Sequence, residues 1–424
     1  MLIPGSEISV EIEKPAAGGR MIARHEGQIL LVAGAIPGER VTARIERVEK
    51  RLAFASTTSV VEPSPDRRDA QDPLCGGCVY AHITYPRQVR LKADIIADAF
   101  IRIGRIPLSP SVSVRPSPET AYRLRARLHV HAHAAGFYRE GTHTLCDARL
   151  TNQLSPAAID AVDVALAALG EARSLVRSLE LTENISSDQR ALHFDVTPEA
   201  PSIESSLARA VEAARLSGCT ARGQFGPLVR VGRPSVFDPL STLTHGRAIS
   251  GQLGRQPASF FQGNRFLLPD LVATVLDAAP AGGTVLDLYA GVGLFSVGLA
   301  ATGRTGITAV EGDKASSSDL RENAAPYPEA ITVIGARVED FIYRTRERSG
   351  TIVVDPPRTG ISREAMDAIA AHGADRIIYV SCDPPTMARD ARRLLDAGYG
   401  LTSLAGFDLF PNTPHVESVG IFDR

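Results

Sequence analysis

Val285-Leu286-Asp287-Leu288-Tyr289-Ala290-Gly291-Val292-Gly293 decides the fold. It reads as a buried strand that closes on an acid and a glycine turn. A helix over Leu294 to Thr302 follows, so the glycines let the backbone approach a ligand in front of a helix N-terminus. A second strand, Ile307 to Val310, ends in Glu311, 24 residues after Asp287. Nucleotide-binding α/β folds place the carboxylate for the ribose hydroxyls at that position. Only two of the three fingerprint glycines are present, so the turn alone could serve NAD or S-adenosylmethionine. The missing glycine and the acid on the first strand favour the methyl donor. Asn323 and Val338-Glu339-Asp340 are candidates for its adenine side.

Working towards the C-terminus, each further strand ends in a reactive or polar group. Ile352-Val353-Val354 runs into Asp355-Pro356-Pro357-Arg358, an acid held beside the donor by two prolines. Ile377 to Val380 reads as a buried parallel strand, and it stops at Ser381-Cys382-Asp383-Pro384-Pro385, where the prolines forbid its continuation. Ligands of open α/β sheets bind outside the carboxyl ends of the strands. Cys382 therefore lies where chemistry is done, although most free cysteines are small buried hydrophobes. The run Asp408 to Glu417 leads into a last strand, Ser418 to Phe422.

Working towards the N-terminus, the rhythm changes before Pro257. Residues 1–58 alternate as half-buried strands do, at Ile8 to Ile12 and Val41 to Ile45, with glycine turns between. Short strands with evenly spaced turns predict an OB-like barrel, a fold that commonly binds nucleic acid. Lys14, Arg20, Arg24, Arg44, Arg47, Lys50 and Arg51 could line one face of it, though acids are interspersed. Val60 to Leu74 is a linker rich in Pro, Asp and Arg. It runs into Cys75-Gly76-Gly77-Cys78, whose spacing suits zinc, an iron–sulfur cluster or redox exchange. Cys146 is a further candidate ligand, and Asp69, Asp72, His82 or solvent could supply a fourth.

A helix is predicted over 86–103, with Val89, Ala93, Ile96, Phe100 and Ile103 on one stripe. From Tyr122 the chain alternates again, putting Arg123, Arg125, Arg127, His129, His131 and His133 on one strand face. Three histidines could bind a metal, but a basic face contacting phosphates suits the row better. Ser155-Pro156 caps a helix. Leu175–Leu181 and Arg190–Val196 read as a hairpin, and Ser202 to Leu216 as another helix. The expected division is thus 1–58, an RNA-binding barrel; 59–256, an α+β RNA-binding domain with the cysteines, whose helix 86–103 could pack on the next domain; and 257–424, the donor-binding domain.

The totals fit a soluble globular chain. Of 424 residues, 44% are hydrophobic and 22% charged, and the formal net charge is -2, so a nucleic-acid partner needs a local basic face. No apolar run approaches a membrane span and no secretory signal is visible, which predicts a cytoplasmic protein. Five cysteines, an odd number, argue against a disulfide framework.

With these motifs in place, the sequence resembles the RNA uridine-C5 (m5U) methyltransferases. Phe260-Phe261-Gln262-Gly263-Asn264, Asp287 to Gly293, Asp355-Pro356-Pro357-Arg358, Ser381-Cys382-Asp383-Pro384 and His415-Val416-Glu417 carry the resemblance in the family's order. The barrel looks like a TRAM domain and the CxxC turn like the iron–sulfur site of the 23S ribosomal-RNA branch. The resemblance implies a class I, Rossmann-like S-adenosylmethionine methyltransferase domain acting on rRNA or tRNA, as a monomer, without DNA or membrane. It implies Cys382 as nucleophile at uracil C6 and Glu417 as base. It also implies Gln262, Asp287, Tyr289, Gly291, Gly293, Glu311 and Asp355 around the donor, and Phe260, Gln262, Asp355, Arg358 and Arg125 around the uridine. A [4Fe-4S] cluster is implied on Cys75, Cys78 and Cys146, with Asp69 standing where the family has a fourth cysteine. Asp383 stands where the family usually has Asn, and an anion there is expected to raise the thiol pKa. Two other readings are a cytidine-C5 methyltransferase, which typically needs a second nearby cysteine, and an RNA-binding or chaperone protein with a decayed site.

Overall fold

The computed structural model describes residues 2–69, 72, 74–108, 112–131, 134–197, 203–223, 228–345 and 347–424. His133 and Ser202 lie outside these. Strands β1 (Glu7–Pro15), β2 (Met21–His25), β3 (Gln28–Ala33), β4 (Arg40–Val48) and β5 (Leu52–Glu62) close into a barrel of order β1-β2-β3-β5-β4. In β4, Val41, Ala43 and Ile45 are buried while Arg40 and Arg44 point out, the alternation of a strand with one wet face. The barrel's basic residues are largely neutralised: Lys14 pairs with Asp98, Arg20 with Glu46 and Glu140, Arg24 with Glu13, and Arg44 with Glu7.

Helix α1 (Tyr85–Ala99) widens into a π-helical turn at Phe100–Gly104, so the stripe expected to run to Ile103 ends early and Ile103 is exposed. Along α1, Leu91 belongs to the barrel core, whereas Ile96, Ala99 and Phe100 pack with Met387, Ala388 and Leu394 near the C-terminus. Between them Lys92, fully buried, bonds Asp408 at 2.5 Å and the carbonyl of Phe410 at 2.9 Å. Removing one partner of such a pair strands a buried charge. Lys92→Met should therefore cost about 3–5 kcal/mol in urea unfolding, and adding Asp408→Leu should restore much of it.

After the short strand β6 (Val114–Arg115) come β7 (Arg125–His131), β8 (Ala134–Tyr138), β9 (Leu145–Asp147), helix α2 (Pro156–Ala168), β10 (Val176–Glu183), β11 (Arg190–Val196), helix α3 (Glu204–Ala213), β12 (Gly218–Gly223) and β13 (Val229–Gly232). The strands from β7 onward form one sheet of order β13-β12-β11-β10-β7-β8-β9. Leu128, Leu179, Leu192 and Phe194 on one face pack with Ile159 and Val162 of α2 and Leu207 of α3. The side chain of Ser155 caps α2 by accepting the Ala158 N–H at 3.1 Å. Arg123 leaves the row expected on β7. It turns inward, donating to Gln153 at 2.6 Å and to the Arg125 carbonyl at 2.8 Å, with its guanidinium beside Phe137 and Phe410.

A hairpin of β14 (Val236–Pro239) and β15 (Gln252–Arg255), spanned by the one-turn helix α4 (Leu240–Leu243), leads into the last domain. There α5 (Leu268–Ala278), β16 (Val285–Leu288), α6 (Leu294–Ala301), β17 (Ile307–Val310), α7 (Lys314–Ala324), β18 (Ile331–Ile334), α8 (Val338–Ile342), β19 (Thr351–Val354), α9 (Arg363–His372), β20 (Arg376–Ser381), α10 (Pro384–Asp396), β21 (Gly400–Phe407) and β22 (Glu417–Asp423) follow. They build an eight-stranded sheet of order β18-β17-β16-β19-β20-β22-β21-β6, parallel from β18 to β20, with β22 antiparallel to both of its neighbours. Both faces are covered. Val285, Val353, Ile378 and Val380 enter one core, and Leu286, Ile352, Val354 and Tyr379 the other, which is why these strands read as unbroken apolar runs. The chain winds outward both ways from β16, so the carboxyl ends of β16, β17, β19 and β20 share one edge with a crevice between them.

Candidate active site

At the end of β16, Asp287 is fully buried. One carboxylate oxygen accepts the Ser296 N–H at 3.1 Å and the Ser296 hydroxyl; the other, Oδ1, has no partner among the described residues. Burial pushes this carboxyl up to about 7, against the two bonds from Ser296. Tyr289 holds a left-handed φ of 59° and donates its hydroxyl to Glu339 at 3.0 Å. Gly291 follows with φ +57°, and a Cβ there would meet nothing within 4 Å, so the turn opens as a cradle. Its N–H donates to Glu311 at 2.8 Å, and the other Glu311 oxygen accepts the Asp313 N–H at 2.6 Å. Gly293, φ +93°, starts α6 where a Cβ would lie 2.7 Å from Leu320, so both conformation and packing require glycine.

Asp355, Cys382 and Glu417 meet at the neighbouring strand ends. A cavity of about 520 Å³ is bordered by Tyr289, Gly291 and Glu311 on one side and by Asp355, Cys382 and Glu417 on the other. Gln262, Phe260, Arg358 and Arg125 also line it. Asp287 and Gly293 stand behind the turn. The cradle, the orphaned Asp287 oxygen and the Glu311 carboxylate fit a nucleoside-bearing methyl donor. Asn323 does not contribute to it. Its amide is committed to Gly254 and the carbonyl of Val292.

The electrostatics of the other side are unusual. Burial pushes Asp355 up to about 7, the 3.0 Å bond from Gln262 opposes this, and Asp287 adds to it. Burial first and then the Asp355 charge hold Glu417 well above the carboxylate range, against Arg358, and Glu417 Oε1 has no partner among the described residues. The Cys382 thiol is pushed up to about 12 by burial and by Glu417, with Arg358 pulling it down. Asp383, expected to be the disturbing anion, has a different task. Its carboxylate caps α10, accepting the Thr386 N–H at 2.8 Å. Phe260 is 57% exposed, with the Arg125 guanidinium 5.9 Å from its ring centre.

Ser296, Ala258, Asp313, Ser316 and Phe410 belong to the site or its support without having been expected there individually. Ser296 had a signal: it falls in the first turn of the helix after the glycine turn, where its N–H and hydroxyl are free to meet an acid. Phe410 lies within the Asp408–Glu417 run and carries no local mark.

The predicted metal site is corrected. Cys75, Cys78, Cys146 and Asp69 do line one cavity, of about 600 Å³. However, Cys75 and Cys146 are joined as a disulfide with Cα atoms 5.9 Å apart. Cys78 remains free, and burial and then Asp72 push its thiol up to about 11. Among the described residues no group of three or more His, Cys, Asp or Glu is arranged to hold a metal ion. A cluster asks for four ligands with free thiolates. This site offers one buried thiol, so the set does not fit a [4Fe-4S] centre as it stands. The physical reason is proximity: the Gly76 N–H bonds the Tyr138 carbonyl at 3.1 Å, which lays the CxxC turn against the β8–β9 hairpin that carries Cys146.

Comparison with known proteins adds three findings. Residues 336–424 match the tRNA (Uracil-5-)-methyltransferase family, and residues 3–58 match the TRAM domain. Over 98% of its length, and 98% of the relative's, the chain is 30% identical to an uncharacterized RNA methyltransferase of Aquifex aeolicus. It is 31% identical, over 100% of its length and 98% of the relative's, to the 23S rRNA (uracil(1939)-C(5))-methyltransferase RlmD of Alkalilimnicola ehrlichii. In fold it is similar to the Pyrococcus abyssi tRNA (uracil-54, C5)-methyltransferase in complex with S-adenosyl-L-homocysteine, with a TM-score of 0.75, 23% identity, and 97% and 99% of the two chains covered. Among the described residues no helix is long and apolar enough to cross a membrane.

Proposed function

We infer the chemistry from the family: the chain belongs to the RNA uracil-C5 methyltransferases, and it methylates C5 of a uridine in RNA with S-adenosylmethionine as donor. We further propose a covalent route and 23S ribosomal RNA as the substrate, in the cytoplasm. The observation that carries the route is the single cavity in which a thiol, a buried carboxyl and a Gln–Asp pair face the glycine turn.

Uracil C5 is a weak nucleophile. Cys382 Sγ adds to C6, which moves electron density to C5 and makes it enolate-like. S-adenosylmethionine, when bound, supplies the electrophilic methyl group. Asp287, Gly291 and Glu311 hold and orient the donor. Glu417 then takes the proton from C5, and the C6–S bond breaks as the C5–C6 double bond re-forms and returns the thiolate. Gln262 and Asp355 offer an amide and a carboxyl to the uracil edge, and Phe260 offers its face. The target base must leave its stack to enter. Arg358 is the cation that favours the thiolate. No step runs through the cysteines at the other cavity.

The test is incubation with methyl-labelled donor and, separately, 23S rRNA, 16S rRNA and tRNA, followed by digestion to nucleosides. Label in 5-methyluridine from 23S rRNA is expected. Label in 5-methylcytidine, or none, would sink the proposal, and label in tRNA alone would reassign the substrate. The pH dependence is a second expectation. A thiol near 12 is almost wholly protonated at neutral pH. Single-turnover rates at subsaturating RNA should therefore rise towards about tenfold per pH unit above pH 8. The rise should be shallower where Glu417 and Asp355 ionise, because each carboxylate pushes the thiol further up. A flat profile would mean that the thiol proton is passed to a group inside the complex.

A further inference from the structure

The central sheet packs one face against α2 and α3. On the second face the alternation of β7 presents Arg125, Arg127, His129 and His131 in a row. Arg125 lines the active-site cavity, so the row starts at its mouth. Successive outward side chains on a strand stand about 6.7 Å apart, and the row is therefore about 20 Å long. At its far end Tyr138 of β8 stacks on His129, with ring centres 3.7 Å apart and planes within 10°. His131 bonds the Tyr138 hydroxyl at 3.2 Å, and His143 meets the ring edge-on. Beside Arg127 runs a groove of about 450 Å³, lined by Arg177, Ser178, Asp195 and Arg222.

Two kinds of group are thus combined. Arg125 and Arg127 are tied to Glu180 and Asp195, but Arg177, Arg222 and Arg230 have no ion-pair partner among the described residues. On the barrel, by contrast, most of the basic residues are already paired. Free guanidinium groups next to an aromatic stack suit a strand whose phosphates and unpaired bases are both within reach. A double helix hides its base faces and would leave the stack unused.

We propose that this open sheet face is the track for the single-stranded RNA flanking the target uridine, with phosphates on Arg177 and Arg222 and a base against the His129–Tyr138 stack. The proposal rests on the uridine entering the cavity that Arg125 borders.

The test uses the full-length protein and fluorescein-labelled oligouridylates of three and nine nucleotides, with the nine-mer also annealed to its complement. The nine-mer should bind more tightly than the three-mer, and annealing should abolish the gain. Tyr138→Ala should weaken nine-mer binding on the order of tenfold and leave the three-mer unaffected, while Tyr138→Phe should behave as wild type. Arg177→Ala/Arg222→Ala should flatten the salt dependence by about 0.7 for each phosphate that is no longer neutralised. Donor binding by calorimetry reports that each variant is folded. Nine-mer affinity and salt slope equal to wild type in these variants would overturn the track, and so would tighter binding of the duplex. Methylation of rRNA by the wild type, assayed in parallel, separates the two claims: its presence with unaltered variants overturns the track alone, and its absence overturns the proposed reaction.

Discussion

Cys382→Ala is expected to lower methyl transfer by on the order of 10⁴-fold or more, to background, while leaving donor affinity at the wild-type value. The size of the loss follows from the substrate. Without a nucleophile at C6, uracil offers the methyl group only an aromatic-like C5–C6 bond, and positioning cannot replace the missing electron density. No other thiol can stand in. Cys75, Cys78 and Cys146 border a different cavity, and Cys219 lies in the core of the central domain. Donor affinity should survive because Asp287 is held by Ser296 and Gly291 by Glu311, in bonds that do not involve the thiol. The side chain is only partly buried, so stability should change by about 1 kcal/mol or less. The measurements are label incorporation into rRNA and calorimetric titration with the donor. Residual turnover within a hundredfold of wild type would end the covalent route, whatever the product.

The catalytic domain was legible because its signals are local. Each parallel strand is a run buried on both faces, and each ends within a residue or two of the group it positions, as at Asp355 and Cys382. What could not be read depends on which distant segments meet. Nothing near Lys92 marks a charge that will sit against Asp408, 316 residues away. The β6 strand is two residues long and exists only because β21 offers an edge. Arg123 alternates with Arg125, yet it turns inward because Gln153, Phe137 and Phe410 converge there from elsewhere. Asp383 illustrates a subtler limit. Its proximity to Cys382 suggested electrostatics, but with Pro384 and Pro385 next in sequence it is an N-cap, and its carboxylate faces a backbone N–H. The cysteines failed for a third reason: spacing gives the chance of a ligand set but not whether two of its thiols bond each other.

Glu417→Gln is expected to uncouple the two halves of the reaction. Multiple turnover should fall by on the order of 10²–10⁴-fold, the usual worth of a positioned general base. The first half should survive, because Cys382 and the donor residues are untouched and glutamine keeps the shape of the side chain. Methylated RNA should then accumulate attached to the protein. It should appear as a band that resists denaturation and carries both labelled methyl and RNA, at up to one equivalent per enzyme. Cys382→Ala can give no such band, so the pair of variants assigns bond formation and proton removal to different residues. The choice of Glu417 over Asp355 rests on what each carboxyl already holds. Burial raises both, but Asp355 accepts a bond from Gln262, whereas Glu417 Oε1 has no partner among the described residues. The carboxyl with a free oxygen is the better placed acceptor for a carbon-bound proton. If Glu417→Gln turns over normally while Asp355→Asn accumulates the adduct, the roles are reversed and the Gln262 bond orients the base rather than the uracil.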